Sequence, residues 1–367
     1  EFNQEEVRCR VHSLVRAYRT HGHLEATLDP LELQLPKKGS VIDLKPSVYQ
    51  LDRLAGSLNS PSVNIDQVVH IGPKNKPARS ASLNEIVETM QNVYCNNIAA
   101  QFTHLESTKE VQWIAKQLES TAQTGLTTEE QILANKMLQE SEVFDHFLAK
   151  KFPGTKRYGL EGAESMIPAM YYLLNELSND GVTDLVLGMP HRGRLNLLTG
   201  ILNLPPRAIF NKIKGHCEIP EELYSVGDVL SHLGISTSIN FEHGKSLNVS
   251  VLNNPSHLEA INPVAMGKAR AKRLQGKNTA CVLMHGDAAF CGQGIVSETF
   301  CLSNLPHFTT GGTVHLILNN QLGFTTPSMH YRSSRYSGDV GKMVGAPIFA
   351  VNGEKLDDVV RVMRLAA

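Results

Sequence analysis

"TACVLMHGDAAFCGQG", residues 279–294, runs an apolar stretch into a turn where one acid sits between small residues. The stretch reads as a short strand buried on both faces, with Asp287 at its carboxyl tip. A carboxylate there is costly to bury without a partner, so Asp287 is expected to tie down a turn or to hold something positive. A second run, "TVHLILNN" (313–320), follows the helix-like "GIVSETFCLSNL" and ends in Asn319 and Asn320. A right-handed crossover returns the second strand parallel to the first and brings both tips to one sheet edge.

The same rhythm fills residues 151–367. "VTDLVLGM", "SLNVSVLN" and "APIFAVNG" are further Val-, Ile- and Leu-rich runs, set between helix-like segments such as "GRLNLLTGIL", "HLEAINPVAMGKARAKRL" and "KLDDVVRVMRLAA". This alternation predicts an α/β domain whose mostly parallel sheet is flanked by helices. Residues 1–150 read as a helical amino-terminal region with a connection. Val7, Val11, Leu14, Val15 and Tyr18 form one stripe of a helix ending near Gly22. Ser82 and Glu85 have the spacing of a capping box opening "SLNEIVETMQNVYCNNIA". Two more helices are expected near 109–119 and 127–150, and residues 29–80 read as a wandering connection.

Composition narrows the class. A chain of 367 residues, 41% hydrophobic and 19% charged, can build one large or two ordinary folded domains. Thirty-five basic against 36 acidic side chains leave a charge of −1, which argues against a nucleic-acid partner. The basic run "RAKRLQGK" (270–277) reads as a solvated helix end favoured by the helix dipole. No apolar stretch reaches the roughly 20 residues that span a bilayer, so no membrane partner is expected. Cys9, Cys95, Cys217, Cys281, Cys291 and Cys301 contain no C-x-x-C pair, so neither a zinc knuckle nor a disulfide framework is expected. The chain begins Glu-Phe with no signal-like segment, so composition assigns no organelle.

Ligands of open α/β sheets gather beyond the carboxyl ends of the strands, and here those ends are polar: "GMPHRGR", "NNPSHLE", "HGDAAF" and "NNQLGF". Asp287 with the carboxamide of Asn320 makes an oxygen-only half-shell, which suits Mg²⁺ completed by phosphate and water. Ala288, Ala289, Gly292 and Gly294 keep the adjoining backbone open to a phosphate. The alternative is that Asp287 caps a helix and the asparagines form a turn. Cys291 reads as a small packing residue. "GQG" is no dinucleotide fingerprint, because Ser297 stands where the last glycine belongs.

The Asp287-Ala288 and Asn319-Asn320 pair resembles the thiamin diphosphate motif, with Ala288 at a position usually held by glycine. "RYGLEGAES", "GMPHRGRLN", "GDVLSHLG", "NPSHLEAINPV", "HGDAAFCGQGIVSETF" and "NNQLGFTT" occur in the order of the thiamin-dependent decarboxylating component of 2-oxoglutarate dehydrogenase-type complexes. "SNLPHF", "GGTVHLI", "NNQLGFTTP" and "DVGKMVGAP" look closer to the branch acting on 2-oxoadipate, whereas "GLEG" is more like the 2-oxoglutarate branch. The resemblance implies that Asp287, Asn320 and the carbonyl of Leu322 hold Mg²⁺, that Ala288 borders the cofactor, and that Arg192 meets the diphosphate. It implies that His191 and His232 bind or orient the 2-oxo acid, with Ser236 and His257 as further substrate-side residues. It also implies oxidative decarboxylation, acyl transfer to a lipoyl transacylase, a homodimer and the mitochondrial matrix. The family's pyrimidine-binding domain lies outside this sequence, so a truncated, non-catalytic interaction form is the other expectation.

Overall fold

The computed structural model describes residues 3–33, 36, 38–52, 62–65, 68–72, 78, 80–121, 125–216, 229–241 and 245–367. Cys217 and the Gly227-Asp228 start of "GDVLSHLG" lie outside the described residues. The chain divides into two compact units, Glu1–Leu126 with Gly345–Leu365, and Thr127–Val344 with Ala366–Ala367.

In the first unit, α1 (Gln4–His21) opens on a capping box in which Asn3 and Glu6 each accept the other's backbone N–H at 2.9 Å. Its buried face contains Val7, Val11, Leu14, Val15 and Tyr18, the stripe read from the sequence. Gly22 is in the ordinary helical region (φ −56°), so its lack of a side chain serves packing instead of a left-handed cap. A Cβ there would stand 2.6 Å from Tyr94 Cβ. After the two-residue strands β1 (Val63–Asn64) and β2 (Ser80–Ala81), α2 (Leu83–Tyr94) starts on the expected Ser82–Glu85 box. The expected run to Ala99 is corrected: the helix stops at Tyr94, and β3 (Ile98–Gln101) follows. α3 (Thr108–Ser120) carries Glu119, only 2% exposed. Its carboxylate accepts from Arg19 Nε (2.8 Å), Tyr94 Oη (2.8 Å) and His70 N (2.9 Å), tying four segments of this unit together.

In the second unit, α4 (Thr128–Lys151) and α5 (Met166–Asn179) precede β4 (Asp184–Gly188), all five of whose residues are buried. α6 (Arg194–Gly200) and α7 (Pro206–Ile213) lead to β5 (Ile235–Asn240) and β6 (Ser246–Val251). α8 (Ile261–Leu274) packs on β4 and on β7 (Thr279–Gly286). α9 (Asp287–Gly292) and α10 (Gly294–Phe300) then reach β8 (Thr313–Leu318). A small hairpin, β9 (Leu322–Gly323) with β10 (Thr326–Pro327), and the one-turn α11 (Ser328–Tyr331) follow.

The sheet order is β5-β6-β4-β7-β8, with β6, β4, β7 and β8 mutually parallel and β5 antiparallel to β6 at the edge. The four parallel strands are the runs read from sequence. β5, "ISTSIN", has Ser, Thr and Asn between its apolar residues, and it was not among the predicted strands.

The last predicted strand needs correction. β11 (Ile348–Val351) is outside the parallel sheet and pairs antiparallel with β3 in the first unit, Phe349 opposite Ala100. α12 (Leu356–Ala366) follows it, its Asp357 Oδ1 accepting from Leu126 N at 2.7 Å. Two compact units therefore meet in sequence near residue 126 and again near 345, not at 150. The cause is long-range pairing: α4 packs with α5 and α6, while β11 finds its partner about 250 residues upstream.

The basic run is also more than a solvated face. Lys272 reaches the buried Asp184 at 2.5 Å, Arg270 donates to Thr309 O at 2.7 Å, and Arg273 donates to Thr279 O at 3.2 Å. Three cations thus fasten the end of α8 to the sheet and its connections.

Candidate active site

From β4 the chain moves toward β6, whereas from β7 it moves toward β8. Connections leaving in opposite directions open a crevice between the carboxyl tips of β4 and β7, where such sheets bind ligands.

At the β4 tip the chain must turn sharply into α6. Gly193 takes φ +70°, and a Cβ on it would stand 2.7 Å from Leu160 Cδ1, so only glycine fits without strain. Arg194 is wholly buried and donates to the carbonyls of Met189 (2.6 Å), Leu233 (2.7 Å) and Leu252 (3.0 Å). One side chain thereby joins the tips of β4 and β6 to the loop that carries His232. His191 and His232 stack with ring centres 5.0 Å apart, and Tyr158 lies 5.1 Å from His191 on another contact.

Asn254, at the β6 tip, is 3% exposed and donates to Pro255 O and to His191 Nδ1, both at 3.1 Å. Ser231 O is farther from the same ring nitrogen, at 3.4 Å. With the Asn254 amide donating, Nδ1 accepts and the proton sits on Nε2. Burial is the main cause that holds the His191 pKa below its usual value, with His232 and Arg194 nearby adding to it. The ring is therefore neutral near pH 7.

Arg192 is half-buried and donates to Glu161 O at 2.8 Å. Ser236 is exposed on the edge strand, its hydroxyl 3.4 Å from Ser250 Oγ. His257 stands exposed on the loop before α8. The structure thus groups His191 with His232 and leaves His257 on the solvent side.

At the β7 tip Asp287 is 1% exposed. It opens α9 without a side-chain cap bond; Tyr331 Oη instead donates to its Oδ2, and Arg332 Nη1 lies 3.3 Å from that oxygen. Burial and the carboxylate push the Tyr331 phenol up, so it remains a donor. Asn319 and Asn320 each accept from the amide two residues on, Gln321 N and Leu322 N, at 3.1 Å. The turn expected as one alternative is therefore real for the asparagines, whereas capping is not the role of Asp287.

The β9 backbone nonetheless comes up against Ala288: a Cβ on Gly323 would stand 2.9 Å from Ala288 Cβ and 3.2 Å from Tyr331 Cδ1. The donor chemistry fits a hard divalent ion, since the carboxylate already draws a guanidinium and Asp287, Asn320 and the Leu322 carbonyl all present oxygen. Asp287, Asn320 and the Leu322 carbonyl are the residues that would hold it.

Beside Asp287 lies a polar row, buried at His285, Glu259 and Asn262 and half-buried at His315, that the sequence does not announce. His285 Nδ1 meets Glu259 Oε2 at 2.6 Å, His285 Nε2 meets His315 Nδ1 at 3.0 Å, and Asn262 donates to Glu259 at 2.9 Å. Burial, with His285 adding, lowers the His315 pKa to about 3. The unfolded chain, with a histidine near 6.5, takes up a proton below that pH that the fold refuses. Stability is thus intact above pH 6.5 and falls by up to about 1.4 kcal/mol per pH unit toward 3. Urea unfolding at pH 7 and pH 5 is expected to show a smaller acid loss for His315→Gln, by about 2 kcal/mol at pH 5.

Cys291 is half-buried, its Sγ 3.7 Å from Ala288 O, and burial raises its pKa. It stays a thiol, as its reading as a packing residue expects.

A buried carboxylate and a histidine pair stand at the switch point of an open, mostly parallel sheet, the place where α/β folds of this kind bind ligands. The family model described as "Dehydrogenase E1 component" matches residues 136–367, and the chain belongs to that family. It is 46% identical over 367 residues to the mouse "2-oxoadipate dehydrogenase complex component E1" and 45% identical to the human protein of that name. It is 40% identical over 370 residues to "2-oxoglutarate dehydrogenase, mitochondrial" of Schizosaccharomyces pombe. These alignments cover 96–98% of this chain and 36–38% of the relatives, so the chain spans under two fifths of their length.

Proposed function

We propose that this chain supplies the diphosphate- and Mg²⁺-binding part of a thiamin diphosphate-dependent enzyme that oxidatively decarboxylates a 2-oxo dicarboxylic acid. The observation that carries it is the buried Asp287 carboxylate, next to Ala288 against which Gly323 packs, at the strand-tip edge that also holds His191 and His232. Thiamin diphosphate, when bound, supplies the electron sink for the pair released as CO₂ leaves. Asp287, Asn320 and the Leu322 carbonyl hold the metal, and Ala288 leaves room beside it. Arg192 stands at the end of β4 as a further diphosphate partner.

His191 does the substrate-side work. Asn254 fixes its ring through Nδ1, so Nε2–H points a donor at an oxygen of the 2-oxo acid. His232, stacked on it, orients the same substrate, with Ser236 and His257 farther out. His191→Ala is expected to lower decarboxylation by about 10²–10⁴-fold while leaving cofactor affinity nearly unchanged, read by CO₂ release beside calorimetry. A loss confined to cofactor affinity would reverse the role.

The names of the mouse and human relatives support 2-oxoadipate as the main substrate. The two acids differ by one methylene, worth about 1–3 kcal/mol, so 2-oxoglutarate is expected to react more slowly. Transfer of the acyl group to a lipoyl transacylase, a homodimeric assembly and a mitochondrial matrix location belong to the same proposal. The test is CO₂ release with Mg²⁺ and thiamin diphosphate, offered each acid separately. Faster turnover of 2-oxoadipate is the expected result; preference for 2-oxoglutarate contradicts the substrate choice, and silence with both acids favours the truncated, non-catalytic form.

A further inference from the structure

Asp287 already has a cation against it. Arg332 Nη1 lies 3.3 Å from Oδ2, and the two side chains are 9% and 1% exposed. The same nitrogen donates to Tyr331 Oη at 2.7 Å, and Tyr331 Oη donates to the same carboxylate oxygen. The guanidinium therefore touches Asp287 through one corner of its fork and one oxygen, short of the bidentate grip that makes such pairs strong.

Both residues sit on a lightly held strap. β9 and β10 pair over two residues each, and α11 is a single turn. Phe324 is 98% and Met329 72% exposed, so little apolar burial fastens the strap, and local opening is cheap.

We propose that Arg332 is an exchange residue, which neutralises Asp287 until a divalent cation takes the carboxylate and then grips the diphosphate that accompanies the metal. This rests on the reading of Asp287 as a metal ligand. A guanidinium and a divalent cation repel each other at one buried oxygen, so metal entry displaces Arg332. The guanidinium cannot shed its charge, and in a nearly closed position it needs another anion. Phosphate oxygens match its fork. Metal alone therefore binds against Arg332, whereas metal and diphosphate bind together, and Arg332 couples them.

The test follows Mn²⁺ binding through the electron paramagnetic resonance of the free ion, with and without thiamin diphosphate. In the unmutated protein thiamin diphosphate should tighten Mn²⁺ by about tenfold or more. Arg332→Gln should bind Mn²⁺ alone about tenfold more tightly, and thiamin diphosphate should then add less than about threefold. Full coupling in Arg332→Gln, or no gain for Mn²⁺ alone, overturns the exchange role. Should that variant not fold, Arg332→Lys retains a point charge and loses the fork; coupling below about threefold supports the proposal and full coupling overturns it. An unmutated protein that binds no Mn²⁺ with thiamin diphosphate refutes the metal reading itself. Binding that is the same in the unmutated and Arg332→Gln proteins refutes only the exchange.

Discussion

Asp287→Asn is expected to abolish Mg²⁺-dependent binding of thiamin diphosphate, a loss of more than about 100-fold in affinity by calorimetry. The substitution retains the shape of the side chain and an oxygen for Tyr331, and removes the charge a hard cation requires. Asp287→Ala should lose the same binding and stability as well. Its truncation leaves Arg332, 9% exposed, without the carboxylate it faces, a cost of about 1 kcal/mol in urea unfolding because the strap that carries it opens cheaply. Binding retained by both variants would move the metal away from the β7 tip.

Arg194→Met is expected to be the most destabilising single change in the second unit. The guanidinium is fully buried, and the carbonyls of Met189, Leu233 and Leu252 all accept from it. Methionine fills much of the volume but donates nothing, so these bonds at two strand tips are lost together. The expected cost is about 3–5 kcal/mol, measured as a shift of the urea midpoint at constant slope. Because Leu233 follows His232 directly, the variant should also loosen the His191–His232 stack. A loss under about 1 kcal/mol would mean that the strand tips hold without this residue.

What could be read in advance follows from the range of each interaction. The Ser82–Glu85 box and the stripe of α1 are local patterns, and the structure has both. The parallel strands announce themselves as continuous apolar runs because both their faces are covered. β5 does not, since an edge strand can alternate Ser and Asn toward water. Sequence alone reads β3 as the end of a helix and β11 as a strand of the parallel sheet, because their pairing joins residues 98–101 to 348–351. No local signal encodes that.

The site divides in the same way. Asp287, His191 and His232 stand in motifs at strand ends, where sheet topology alone makes polar residues conspicuous. Asn254 and Arg194 lie within the same motifs, but their roles depend on long-range contacts, Arg194 to Leu252 and Asn254 to His191. Tyr331 and Arg332 sit in "SMHYRSS", a stretch without helical or strand rhythm, and only the fold brings them to Asp287. The guanidinium on a carboxylate expected to bind metal is the structure's own addition.

The most direct measurement is a calorimetric titration of the unmutated protein with thiamin diphosphate, once with Mg²⁺ and once with EDTA. Saturable one-site binding with Mg²⁺, lost in EDTA, is the predicted result. No binding with Mg²⁺, or equal binding in EDTA, would contradict a metal-held diphosphate at the tip of β7.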